Sequence, residues 1–134
     1  MFILAPERDE DPQGAFDRYS DYIRRESGRF PPGVLSLLTS DWYFDFADHR
    51  APHDAWLRSA SFEETGDPAR PEERVLALRL RLFAAYHDHE LEFYYPKVFA
   101  YAFQGAAVTF GHGEWRYDEF RLDHLGRLVH ENRS

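Results

Sequence analysis

Hydrophobic and polar residues alternate most clearly in residues 74–82. Leucines at positions 76, 78, 80 and 82 are separated by Ala77, Arg79 and Arg81. Successive side chains of a β-strand point to opposite faces, so the four leucines share one face and the two guanidinium groups share the other. The pattern therefore predicts a strand, within residues 75–86, that packs on a core through its leucines and meets water through its arginines.

Shorter runs with the same period of two predict further strands. A first strand is expected over residues 55–63, with Trp56, Arg58, Ala60 and Phe62 opposite to Leu57, Ser59 and Ser61. The polar residues 64–73 then join it to the leucine strand as a hairpin. Later strands are predicted over residues 90–95, 115–122 and 127–130, with turns at residues 87–89 and at Gly126. Residues 98–103 are predicted as a further strand or as a bulged continuation of the one before.

In the first third of the chain, apolar residues recur at the spacing of a helix instead. Phe16, Tyr19 and Ile23 recur every three or four residues after Asp11, a residue suited to cap a helix, so a helix is predicted over residues 12–27. Pro31 and Pro32 open a second, short helix. We predict a single α+β domain over residues 1–134. Its helical segment, residues 1–50, packs on an antiparallel meander of five to six strands, residues 51–134, that curls toward a barrel.

Composition and charge argue against several classes of function. The 134 residues include twelve Phe, eight Tyr and three Trp, and no cysteine, so thiol nucleophiles, thiolate metal sites and disulfides are excluded. The net charge of −8 argues against nucleic acid as a partner. No apolar run is long enough to span a membrane, and the N-terminus does not match an export signal, so we expect a cytoplasmic protein.

Histidine and carboxylate residues are the main candidates for chemistry. A metal site would draw on His49, His53, His87 and His89, with His112 farther along the chain. The His87-Asp88-His89 spacing fails the cupin pattern, because Phe93 and Tyr94 stand where that pattern needs Glu. His53 and Asp54 are interpreted as a structural pair, and Asp118 and Glu119 as surface carboxylates. No catalytic or cofactor-binding motif is present, so we expect no cofactor and no enzymatic activity.

A weak family resemblance covers residues 53–131. His53-Asp54-Ala55-Trp56-Leu57 opens a strand, residues 111–115 read Gly-His-Gly-Glu-Trp, and residues 126–131 read Gly-Arg-Leu-Val-His-Glu. This arrangement resembles small uncharacterised bacterial domains that begin their sheet with a His-Asp pair and are similar to immunity proteins of toxin systems. The resemblance implies a protein that neutralises a toxin by binding it.

Three functional hypotheses follow. In the first, the acidic, aromatic-rich surface binds a basic protein, with Trp42, Tyr43, Asp45 and Asp48 as contact residues. In the second, the histidine cluster makes the protein a metal-dependent enzyme or a small-ligand binder. In the third, the sheet pairs with a second copy and buries Tyr94 and Phe99 in a homodimer.

Overall fold

The computed structural model describes residues 2–104 and 114–133, and within them it confirms an α+β fold. Two α-helices come first, α1 (Pro12–Arg25) and α2 (Pro32–Leu38), with short 3-10 helices at Pro6–Asp9 and Ser27–Arg29. The strands in this part of the chain are β1 (Ala55–Glu64), β2 (Leu76–Phe83), β3 (Glu90–Tyr95), β4 (Glu114–Trp115), β5 (Tyr117–Leu122) and β6 (Leu128–Arg133).

Both predicted helices are present, and α1 begins as the sequence indicates. Asp11 is its N-cap, and the carboxylate accepts a hydrogen bond from the Gly14 N–H at 3.1 Å. Tyr19 and Ile23 point from α1 into the core, whereas its charged residues face water. The amphipathic spacing therefore decides which side of the helix packs on the strands.

The strands form two antiparallel sheets. β3, β2, β1 and β4 make a four-stranded sheet in that order, curled into a half-barrel, and β5 and β6 make a separate two-stranded ribbon. Residues 115–122, predicted as one strand, are divided: Trp115 pairs with Ala55 in the first sheet, and Tyr117 pairs with Arg133 in the ribbon. The chain thus passes from one sheet to the other at Arg116.

The leucine strand is confirmed. Leu78, Leu80 and Leu82 are buried on one face of β2, and Arg79 and Arg81 are exposed on the other. The predicted faces of β1 are wrong beyond Leu57, because a register shift between Leu57 and Ser59 acts as a β-bulge. The bulge places Leu57 and Phe62 on the same face as the leucines.

The strand predicted over residues 98–103 is wrong. Pro96 follows β3 and has no N–H to give to a ladder, so regular pairing ends there. The Val98 N–H still reaches the Leu76 carbonyl at 2.8 Å, but Phe99 and Tyr101 beyond it are exposed. The glycines at positions 105, 111 and 113 lie outside the described residues.

The ribbon is held by hydroxyl groups from α1. The Tyr19 hydroxyl donates to the Phe120 carbonyl at 2.7 Å and accepts from the Phe120 N–H at 2.9 Å. The Tyr22 hydroxyl accepts from the Leu122 N–H at 2.9 Å. Side chains from one face of α1 therefore supply hydrogen-bond partners to the free backbone edge of β5. A sheet edge that is buried needs such partners.

The start of the chain covers the face of the ribbon that carries Glu119. Glu119 is fully buried, and one of its carboxylate oxygens accepts from the backbone N–H groups of Phe2 and Ile3 at 2.7 Å each. Its other oxygen accepts from Arg121 at 3.2 Å. Arg8 lies over the Tyr117 ring, 4.0 Å from its centroid. These contacts fix residues 2–8 on the ribbon.

We expect Tyr19→Phe to destabilise the fold markedly. The change leaves the Phe120 N–H and C=O buried without the hydroxyl that serves both, and each unsatisfied group costs about 1–3 kcal/mol. Urea unfolding should show a loss of about 2–4 kcal/mol. Tyr101→Phe is the matched control, because that ring is mostly exposed. Equal stability of the two variants would contradict the assigned role of Tyr19.

Candidate functional site: a buried hydrogen-bond chain beside a cleft

Four polar side chains form a continuous hydrogen-bonded chain where the two sheets meet. His130 on β6 and Asp118 on β5 are joined by a contact of 2.7 Å between His130 Nε2 and Asp118 Oδ2. The same carboxylate oxygen accepts the Tyr43 hydroxyl, and His130 Nδ1 lies 2.5 Å from the Tyr95 hydroxyl on β3. The chain therefore runs from the helical region through the ribbon to the four-stranded sheet.

The direction of these hydrogen bonds follows from their chemistry. A carboxylate oxygen only accepts, so His130 Nε2 carries the hydrogen that points to Asp118. In the neutral ring Nδ1 is then an acceptor, and the Tyr95 hydroxyl donates to it. Both ring nitrogens of His130 therefore have hydrogen-bond partners inside the protein.

The surroundings of this chain are apolar and aromatic. The side chains of His130 and Asp118 are each about 6% exposed, and the imidazole stacks on Phe120 with centroids 3.8 Å apart. Burial raises the pKa of Tyr43 well above its ordinary value, and the charge of Asp118 raises it further. Burial likewise raises the pKa of Tyr95. Both phenols therefore stay protonated and act as hydrogen-bond donors.

A cleft of about 970 Å³ opens beside this chain. Leucines of β1 and β2 form one wall, and the aromatic side chains of Tyr95 and Trp115 and the imidazole of His130 form another; the leucines are Leu57, Leu78 and Leu80. Trp115 is 7% exposed, and its Nε1–H has no hydrogen-bond partner among residues 2–104 and 114–133. The cleft is thus lined by apolar and aromatic side chains together with charged residues such as Lys97 and Glu114.

The histidines proposed as metal ligands lie at separate places. His49 and His89 both bind Asp88 on the surface, with Nδ1 to carboxylate distances of 2.5 and 2.9 Å. His53 contacts the Arg116 carbonyl and stacks on Phe46 before β1. His87 stacks on Phe83 in the turn between β2 and β3. In the described ranges no three His, Asp or Glu side chains are grouped to hold a metal ion, and His112 lies outside those ranges.

The residues proposed to contact a partner differ in their exposure. Tyr43 is buried and donates to Asp118, so it is not available to a partner. Trp42 packs against the core and lies 5.1 Å from the Arg50 guanidinium. Asp48 binds Arg50, which lowers the pKa of that carboxyl to about 2. Asp45 is exposed and accepts from the Ala47 N–H at 3.1 Å.

Sequence reasoning missed the central residues of the site. Asp118 and Glu119 were expected on the surface, and both are buried. One signal was present for Asp118: it has the same period-two phase as Phe120 and Leu122, which places it on the apolar side of β5. His130 occupies the same face of β6, opposite Phe120. No local pattern marks Trp115 or Tyr95 as neighbours of this histidine.

Comparison with known proteins adds no homologue. No protein-family model matches the chain, and neither the curated proteins nor the solved structures give a significant match. Within the described residues, no helix is long and apolar enough to cross a membrane. Any functional proposal therefore rests on the arrangement of the side chains.

We expect Asp118→Asn to destabilise the protein by about 2–4 kcal/mol, because a buried carboxylate that accepts from both Tyr43 and His130 loses its charge. Urea unfolding is the measurement. Asp41→Asn is the matched control, since Asp41 is exposed. A loss no larger than that of the control would show that the buried chain contributes nothing to stability.

We expect the carboxyl group of Asp88 to titrate at an unusually low pH. Its hydrogen bonds to His49 and then to His89 lower the pKa to about 2. A lowered folded-state pKa stabilises the fold above the unfolded-state value near 4, and this contribution is lost as the pH falls toward 2. NMR of the side-chain carboxyl carbon should give a midpoint near pH 2. In the His49→Ala, His89→Ala double variant the midpoint should rise toward 4, and an unchanged midpoint would contradict the contact.

Proposed function

We propose that this protein acts by binding a basic protein. The observation that carries the proposal is a cluster of exposed aromatic rings at the open end of the four-stranded sheet. Phe62, Tyr101 and Phe103, called the aromatic patch below, are 42%, 58% and 48% exposed. Their ring centroids lie 4.6 Å apart for Phe62 and Tyr101 and 6.1 Å apart for Phe62 and Phe103. Clustered exposed aromatic side chains are typical anchors of protein interfaces.

The charge next to the aromatic patch favours a basic partner. Directly after Phe62, residues 63–74 carry five acidic residues and two arginines. Arg70 pairs with Glu73 and Arg74 pairs with Glu64, at 3.2 and 2.5 Å. The other three acids, Glu63, Asp67 and Glu72, form no ion pair within 4 Å in the described part of the chain. An aromatic anchor beside unpaired acids complements a surface rich in Lys and Arg.

The overall charge also favours a different protein over a second copy as the occupant. Two chains of net charge −8 repel one another, whereas a cationic partner is attracted over a distance set by salt. The finer role within this proposal is neutralisation of a basic toxin, as the resemblance to immunity proteins implies. Trp42 and Asp45 stay as further contact candidates on the helical side.

The test uses the tagged full-length chain as bait in extracts of its native host. We expect a basic partner that is retained at low salt and released as salt rises. With the purified partner, the Phe62→Ser, Tyr101→Ser, Phe103→Ser variant should bind at least about tenfold more weakly, since each anchor residue of an interface is worth 1 kcal/mol or more. Tyr94→Ser is the matched control, because Tyr94 is 47% exposed on the opposite face of the sheet.

Neutralising Glu63, Asp67 and Glu72 to Gln, Asn and Gln should mainly slow association and flatten its salt dependence. Circular dichroism is the control that checks whether each variant folds. Three results would overturn the proposal: no partner at any ionic strength, equal binding by the patch variant and the Tyr94 control, or light scattering that shows a homodimer dependent on the aromatic patch.

A further inference from the structure

We propose that the aromatic patch receives a guanidinium group, so that the basic partner contacts it through an arginine side chain. This inference rests on the proposed function, because it names the chemistry by which the patch recognises that partner. Its basis is a difference between exposed rings in the described part of the chain. The rings outside the patch contact basic side chains of the same protein, and those of the patch do not.

Exposed rings outside the aromatic patch each contact a basic side chain of this protein. The pairs are Tyr94 with Arg79, Phe99 with Lys97, Tyr86 with His49 and Trp56 with His87. The distances to the centroid of the exposed ring run from 4.0 to 5.4 Å. The face of an aromatic ring carries negative charge density, so it attracts positively charged groups. Each of these exposed rings therefore already has a basic neighbour.

The rings of the aromatic patch contact one another instead. Tyr101 and Phe103 lie 5.9 Å apart, and each of them also contacts Phe62. Among residues 2–104 and 114–133, no Lys or Arg side chain lies over these three rings. Residues 105–113, which follow in the sequence, contain no Lys or Arg. A guanidinium or ammonium group on the exposed faces of the patch must therefore come from another molecule.

Contacts within this chain favour arginine over lysine as the group that the patch receives. Some arginines lie over an aromatic ring and pair with a carboxylate at the same time: Arg8, Arg50 and Arg79. A planar guanidinium can stack on a ring while its N–H groups reach a carboxylate, whereas the ammonium of lysine is a point charge. Glu64 shares a face of β1 with Phe62, and its carboxylate is exposed beside Arg74. The patch thus combines ring faces with a neighbouring carboxylate.

The test follows the aromatic ¹H–¹³C NMR signals of the full chain while N-acetylarginine amide is added. N-acetylcitrulline amide is the matched control probe, because its urea group has nearly the same shape and no charge. N-acetyllysine amide carries the charge without the planar group. We expect the arginine probe to shift the signals of Phe62, Tyr101 and Phe103, the lysine probe to shift them less, and the citrulline probe to leave them unmoved. Tyr94 is the internal control, since Arg79 already covers its ring.

Two changes of Tyr101 separate a cation–π contact from an apolar one. Tyr101→Leu keeps an apolar side chain and removes the ring, so it should weaken binding of the arginine probe about two- to fivefold, the effect of one exposed cation–π contact. Tyr101→Trp should bind the probe at least as tightly as the wild type does, because Trp is the strongest cation–π partner. Tyr94→Leu is the matched control and should leave the response of the patch unchanged. Circular dichroism checks the folding of each variant.

The inference would be overturned if the citrulline or lysine probe shifted the patch signals as strongly as the arginine probe, or if Tyr101→Leu bound the arginine probe undiminished. The comparison of the three probes uses the wild-type chain, so it decides the matter even if a variant fails to fold. A basic partner captured through a patch that does not prefer arginine would contradict this inference alone. A preference for the arginine probe without any captured partner would support the guanidinium site and contradict the proposed function.

Discussion

The structure depends on satisfying the buried polar groups of β5. A two-stranded ribbon has free backbone edges, and this one also buries the carboxyl groups of Asp118 and Glu119. Hydroxyls of Tyr19, Tyr22 and Tyr43 and backbone amides of residues 2–3 supply the missing partners. An unpaired buried group would cost about 1–3 kcal/mol each, so these contacts decide whether the ribbon can sit in the core at all.

The same polar side chains link the two sheets beside the cleft. Asp118 holds His130 through Nε2, and His130 reaches across to Tyr95 on the four-stranded sheet. This polar contact joins the ribbon to the four-stranded sheet, and Leu78 and Leu80 of β2 line the cleft beside it. Trp115 stands at the junction, where the chain changes sheets, and its indole faces apolar neighbours such as Phe93. The structural core and the cleft thus share residues such as Leu78 and Trp115.

Local patterns predicted the elements well where one segment carries its own signal. Asp11 and Pro12 mark the start of α1, and the leucines of β2 mark both its conformation and its buried face. The prediction was wrong where a local device interrupts the period: the bulge after Leu57 turns Phe62 to the leucine face, and Pro96 ends pairing before Phe99. Nothing in the alternation of residues 115–122 indicated the change of sheet at Arg116.

The α+β class and the leucine face could be read from the sequence, as could the aromatic, cysteine-free and acidic character of the chain, because these depend on neighbouring residues and on composition. The burial of Glu119 and the contacts of His130 with Asp118 and Tyr95 arise from packing between distant segments. The alternation of apolar and polar residues shows which face of a strand a side chain occupies. It does not show which face another segment of the chain will cover. Glu119 is covered by Phe2 and Ile3, about 116 positions away, and a contact across that separation leaves no local trace.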